Sequence, residues 1–161
     1  MRTIAVIAGT RPEAIKLAPV IQALTRSTVL TPLVVSTSQH RHLVAQVFDK
    51  FEIVVDHDLK VMRPGQTLWD LTGRLAERLG RFLLDHPVSA VLVQGDTTSA
   101  FLGGLCAYYH QVPVGHVEAG LRTGNLYSPF PEEANRRLLA PLARWHFAPT
   151  RDAVDRLRRE G

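Results

Sequence analysis

Short apolar runs alternate along the chain with longer stretches whose apolar residues recur every three to four positions. Thr3-Ile4-Ala5-Val6-Ile7-Ala8 predicts a strand ending at Gly9, and Pro12 to Thr25 follows with a helical face of Ala14, Leu17, Ala18, Ile21 and Leu24. A second strand is expected over Leu30 to Thr37, a helix over His42 to Phe51 and a short third strand at Ile53-Val54-Val55. Gln66 to His86 is the clearest helix. Leu68, Leu71, Leu75, Leu79, Phe82 and Leu83 share one face, Asp70/Arg74 and Glu77/Arg81 pair on the other, and Pro87 ends it. Val88 to Val93 is apolar but for Ser89, as expected of a strand covered on both faces. A small-residue helix over Thr97 to His110, a strand over Pro113 to Val117, a helix over Pro131 to Ala143, a strand over His146 to Ala148 and a helix over Arg151 to Glu160 complete the pattern. Such alternation implies parallel βαβ units: an α/β, Rossmann-like, three-layer doubly wound sheet in one domain spanning 1–161. Pro19 is the discordant residue, since proline inside a helix costs roughly 3 kcal/mol.

Composition narrows the picture. With 161 residues, 45% apolar and a net charge of +4, the chain has enough core for an ordinary domain and too little charge for disorder. One cysteine excludes a disulfide framework or a cysteine-rich metal site. The start at Met1 lacks the apolar stretch of a signal peptide, and no run is long enough to span a membrane, so a cytoplasmic protein without a membrane partner is expected. The 19 basic residues include only three lysines, and the arginines are interleaved with acids rather than gathered in a stripe. Nucleic acid is therefore not an expected partner.

In a doubly wound sheet the chemistry sits beyond the carboxyl ends of the strands. After the first strand comes Gly9-Thr10-Arg11-Pro12-Glu13-Ala14-Ile15-Lys16, which matches neither a GxGxxG fingerprint nor a phosphate-loop lysine signature. Thr10 with Glu13 fits a capping box, while Pro12 at the first helical position would make Arg11 the cap; both registers fit the pattern. In either, free backbone N–H groups at the helix start are expected to face an anion, with Arg11 and Lys16 adding charge. The plainer alternative is a capped helix with two surface cations.

After the buried strand comes Gln94-Gly95-Asp96-Thr97-Thr98-Ser99, where Asp96 is either a helix cap or a reacting group. The next strand runs into Gly115-His116-Val117-Glu118, and a carboxylate at such a strand end is costly unless paired or used. Glu132 and Glu133 open a later helix, where acids suit the dipole and Arg136 or Arg137 is in reach. If Asp96, Glu118 and Glu132 converge on one rim, they raise one another's pKa, so that one holds a proton while another acts as a base. Gln39-His40-Arg41-His42 holds two histidines with no third ligand in view, so no metal or other cofactor is expected.

Five segments together resemble the bacterial non-hydrolysing UDP-N-acetylglucosamine 2-epimerases. They are Gly9 to Lys16, Gln39-His40-Arg41, Gly95-Asp96-Thr97-Thr98, Gly115-His116-Val117-Glu118-Ala119-Gly120-Leu121-Arg122-Thr123-Gly124 and Pro131-Glu132-Glu133-Ala134-Asn135-Arg136. The resemblance implies the N-terminal domain of a GT-B type two-domain architecture, closing on a nucleotide sugar. It implies interconversion of UDP-GlcNAc and UDP-ManNAc by removal of the C2 proton, elimination of UDP to give a 2-acetamidoglucal, and re-addition of UDP with C2 protonated from the other face. It implies catalytic roles for Asp96, Glu118 and Glu132, nucleotide-phosphate contacts from Arg11 and Lys16, and an allosteric UDP-GlcNAc site involving Gln39 and Gln66. It also implies a homodimeric full-length enzyme serving cell-envelope polysaccharide synthesis. Family chains are about twice this length, so Gly161 is expected to fall near the end of the first half, leaving the uridine pocket to a C-terminal half and the isolated chain inactive. The alternatives are a hydrolysing 2-epimerase, another GT-B nucleotide-sugar enzyme such as a glycosyltransferase, and a non-catalytic UDP-GlcNAc-binding module.

Overall fold

A computed structural model describes residues 1–38 and 41–161. In chain order the elements are β1 (Arg2–Ala8), α1 (Arg11–Thr25), β2 (Leu30–Ser36), α2 (Arg41–Lys50), β3 (His57–Asp58), α3 (Leu68–Asp85), β4 (Ala90–Gln94), α4 (Thr98–Tyr109), β5 (Val114–Val117), α5 (Glu132–Leu139), β6 (Trp145–Phe147) and α6 (Arg151–Glu160), with a 3-10 turn at Ala140–Leu142. The strands form one sheet in the order β3-β2-β1-β4-β5-β6, and every pairing is parallel. This is the doubly wound order, whose reversal point lies between β1 and β4.

The period-2 alternation of the strands divides the core into two layers. Ile4, Val6 and Ala8 of β1 pack with Ala14, Leu17 and Ile21 of α1 and with Val44, Val47 and Phe48 of α2. Ala5 and Ile7 face the other way, onto Leu71, Leu75 and Leu79 of α3 and Ala100, Leu102 and Cys106 of α4. Both faces of β1 and β4 are thereby covered, which is why those strands read as unbroken apolar runs. Pro19 does not end α1, which continues to Thr25 with the proline on its exposed side.

Two expectations are corrected. The third strand is not Ile53–Val55 but the two residues His57–Asp58, in register with Val35 and Ser36. Ile53 instead closes the turn after α2: its N–H donates to Phe48 O at 2.8 Å, its side chain is buried, and Glu52 before it takes a left-handed φ of 54°. Pairing with β2 begins only once Asp56 has been tied to it, by Asp56 N to Val34 O (3.0 Å) and Val34 N to Asp56 Oδ2 (2.7 Å). The helix expected over Pro131 to Ala143 is α5 followed by the 3-10 turn, which contains Pro141, a residue without a backbone donor.

Candidate active site

The first turn of the rim is set by Glu13. Thr10 is the N-cap of α1 and Glu13 its third residue, so the capping-box register is the one adopted. Glu13 Oε2 accepts from Gly9 N (2.9 Å), Thr10 N (2.6 Å) and Thr10 Oγ1 (2.8 Å), and Oε1 accepts from Thr97 Oγ1 (2.5 Å). The carboxylate of Glu13 thus takes the backbone N–H groups of Gly9 and Thr10, the two that precede the helix. Glu13 is 1% exposed. Burial pushes its carboxyl above the usual range, and the bonds from Thr97, Gly9 and Thr10 pull it back. Arg11, next in the chain, is exposed on the rim. Gly9 is required for close approach: a Cβ there would collide with the hydroxyls of Thr37 and Ser99.

The second turn follows β4. Thr97, not Asp96, caps α4, its Oγ1 accepting from Ala100 N at 3.0 Å. Asp96 is left for other work. Its Oδ2 accepts from Arg136 Nη2 at 2.5 Å, and its backbone carbonyl accepts from Asn135 Nδ2 at 2.9 Å. Burial raises the Asp96 pKa against the opposing pull of Arg136, and the charges of Glu132 and Glu118 raise it further. Asp96 therefore lies within electrostatic reach of both other carboxylates.

The third turn follows β5. Glu118 has a left-handed φ of 64°, uncommon for a residue with a side chain and a cost of about 1–3 kcal/mol. Its N–H donates to Phe147 O at 2.9 Å, holding the bend against β6. Lys16 Nζ, one turn into α1, lies 2.6 Å from Glu118 Oε2 and 2.8 Å from Oε1, and Gln94 Nε2 donates to Oε1 at 3.1 Å. Lys16 and Glu118 are thus an ion pair, joining the cationic and acidic ends of the rim. Below them His116 is buried, with Nε2 bonded to Gly95 O at 2.7 Å. Burial lowers its pKa to about 4, so the ring is neutral and serves as a support beneath the Gly95–Asp96 turn.

At the start of α5 the two glutamates divide their work. Glu133 is fully buried and accepts from Thr123 N (3.1 Å) and Gly124 N (3.4 Å), fixing the loop after β5, while Arg136 Nε lies 3.6 Å from it. Glu132 Oε2 is buried and has no hydrogen-bond partner. Gln66 is half-buried just before α3, with Arg63 N donating to its Oε1 at 3.0 Å. Gln39 and His40 lie outside the described residues. Among the described residues, no group of three His, Cys, Asp or Glu is arranged to hold a metal, and no helix is long and apolar enough to cross a membrane.

The rim therefore gathers Asp96, Glu118, Glu132, Lys16 and Arg136 from elements separated by more than a hundred residues. The family model described as UDP-N-acetylglucosamine 2-epimerase matches residues 22–161. The chain belongs to the UDP-N-acetylglucosamine 2-epimerase family. It is 52% identical over 149 residues to the UDP-N-acetylglucosamine 2-epimerase of Neisseria meningitidis, covering 92% of this chain and 40% of that one. It is 51% identical over 152 residues to the Escherichia coli K12 enzyme, covering 94% and 40%. Among solved structures it resembles Staphylococcus aureus MnaA in a co-structure with UDP (TM-score 0.97, 49% identity, 100% of this chain and 42% of that one). It also resembles the N. meningitidis enzyme bound to UDP-GlcNAc (TM-score 0.94, 51% identity, 99% and 43%). A 17% identical likeness to Acinetobacter baumannii MurG (TM-score 0.62) shows the fold alone. The chain spans about two-fifths of the length of the family members it matches.

Glu13 caps its helix and Arg136 lies beside its own helix's Glu133, as the sequence predicts; the structure adds Thr97 to the first and Asp96 to the second. Nothing local marks Gln94 or Asn135.

Proposed function

We propose that this chain is the carboxylate-bearing N-terminal half of a UDP-GlcNAc 2-epimerase, whose nucleotide sugar lies against the rim with a C-terminal half closing over it. The observation that carries the reading is that Asp96 feels the charges of both Glu118 and Glu132 at one strand-end rim, where Lys16 is paired with Glu118. The C2 proton of an N-acetylhexosamine is weakly acidic, so its removal needs a positioned base. One carboxylate takes that proton, the C2–H electron pair forms the C1=C2 double bond, and the C1–O bond breaks to release UDP. Arg11 and Lys16 neutralise the charge that gathers on the diphosphate. Return of UDP to C1, with a proton delivered to the opposite face of C2, completes the inversion. The allosteric role of Gln39 and Gln66, a cytoplasmic homodimer and a place in cell-envelope polysaccharide synthesis are part of the same reading.

The test joins this chain to the C-terminal portion of the N. meningitidis relative and follows UDP-GlcNAc by NMR in D2O. Conversion to UDP-ManNAc with one deuterium at C2 is expected, and the 161-residue chain alone is expected to give none. Free ManNAc as product would instead assign the hydrolysing reaction. A folded fusion without turnover, or turnover by the chain alone, overturns the proposal.

A further inference from the structure

Among the described residues two helices, α1 and α3, open on capping boxes, and the two are not alike. At α3, Thr67 is capped by Asp70: Thr67 N and Thr67 Oγ1 both donate to Asp70 Oδ2, at 2.8 and 2.6 Å, on an exposed surface. At α1 the same two bonds run from Thr10 to a glutamate, and that glutamate is 1% exposed. An aspartate suffices to close such a box, as α3 shows. The extra methylene of Glu13 carries its second oxygen onward to Thr97, 84 residues away in sequence, at 2.5 Å. Burying a carboxylate is costly and needs a compensating role.

We propose that Glu13 is a positioning residue that clamps the Arg11-bearing turn after β1 to the Asp96-bearing turn after β4. The two turns flank the reversal point of the sheet, where α1 and α4 leave toward opposite faces. No strand hydrogen bond holds them once β1 and β4 have diverged: their pairing ends at Val6 and Leu92, short of both turns. Glu13 replaces it. Oε2 gathers Gly9 N, Thr10 N and Thr10 Oγ1; Oε1 takes the hydroxyl of Thr97. The Thr97 oxygen at the same time accepts Ala100 N and so fixes the start of α4. Arg11 follows one anchored residue, Thr10, and Asp96 precedes the other, Thr97. One buried side chain thus bonds directly to both turns. The kinetic consequence rests on the epimerase reading; the clamp itself does not.

Glu13→Asp is the decisive variant, because it keeps a box of the α3 kind and cannot reach Thr97. In the 161-residue chain, hydrogen exchange at the Ala100 amide is expected to quicken about tenfold while the first turn of α1 keeps its protection. Thr97→Val supplies the reciprocal readout, faster exchange at Gly9 and Thr10, and Thr97→Ser restores it. In the active fusion, Glu13→Asp is expected to lower kcat about a hundredfold with KM for UDP-GlcNAc changed less than about threefold. Parent-like exchange at Ala100 in Glu13→Asp, or a Thr97→Ser variant that behaves like Thr97→Val, overturns the clamp. Absence of turnover in the unsubstituted fusion counts against the epimerase reading alone, since the exchange measurements still decide the clamp.

Discussion

The two ends of the parallel strands make unlike surfaces. At the carboxyl ends, Glu13, Gln94, His116, Glu133 and Asn135 are all buried, and every one of them holds a turn or faces a carboxylate. At the amino ends backbone bonds (Arg2 N to Val29 O, Ser89 N to Thr3 O and Val91 N to Pro113 O) are joined only by exposed or half-buried side chains such as Ser27, whose Oγ accepts from Val29 N and Leu30 N. A groove of about 660 Å³ opens there, lined by Met1, Gln22, Thr25, Leu30, Phe51 and Val54 among others, and it contains none of the rim carboxylates. That groove and the rim's chemistry are therefore at opposite ends. Buried polar side chains cost free energy wherever they lie. Their concentration at one end marks function more surely than concavity does.

The comparison breaks most visibly in turnover. In the active fusion, Asp96→Asn is expected to lower the rate of deuterium incorporation at C2 by about a hundred- to ten-thousandfold. Val54→Ser, at an exposed position of the amino-end groove, is expected to leave it within about twofold. NMR of the sugar product reads both. If the groove variant were the one to lose turnover, the two ends would have been assigned the wrong way round.

A smaller effect separates the rim from the rest of the fold by pH. His116 is held neutral with a pKa of about 4, against an ordinary value near 6.5. Between those values the unfolded chain binds more protons than the folded one, so stability rises with pH across the window and is lost as pH falls through it. The contribution is on the order of 3 kcal/mol. Urea melts at either end of the window are expected to show that loss. His116→Gln retains an N–H for Gly95 O and does not titrate, so it is expected to flatten the slope. An unchanged slope in the variant would place the acid sensitivity elsewhere.

The sheet was legible because its strands are covered on both faces: Val91 and Val93 look one way, Ala90 and Leu92 the other, and the run is apolar throughout. β3 was not, since two residues carry no periodicity and the apolar Ile53 nearby belongs to a turn. At the site, residue types at strand ends were enough to single out Asp96, Glu118 and Lys16. What each touches was not readable, because the contacts are long-range. Arg136 reaches Asp96 across 40 positions and Lys16 reaches Glu118 across 102. A capping box, read one-dimensionally, does not say which way its carboxylate is buried: Glu13 turns inward and takes the N–H groups of Gly9 and Thr10.

The smallest effect concerns the Lys16–Glu118 pair, and it sharpens the distinction between holding the fold and holding the site. The pair is short, but its side chains are 45% and 26% exposed. Solvent screens such a pair, and its net worth to stability is below about 1 kcal/mol. Lys16→Met keeps the aliphatic stem over the rim and removes the charge. Its urea midpoint is expected to shift little at low salt and not at all at about 0.5 M salt, where the Debye length is only a few ångströms. The buried clamp at Glu13 belongs to the other class, and severing it is expected to show in exchange whatever the salt. A salt-independent loss of more than about 2 kcal/mol in Lys16→Met would make the pair part of the fold's support, and the rim would then have no residue reserved for charge alone.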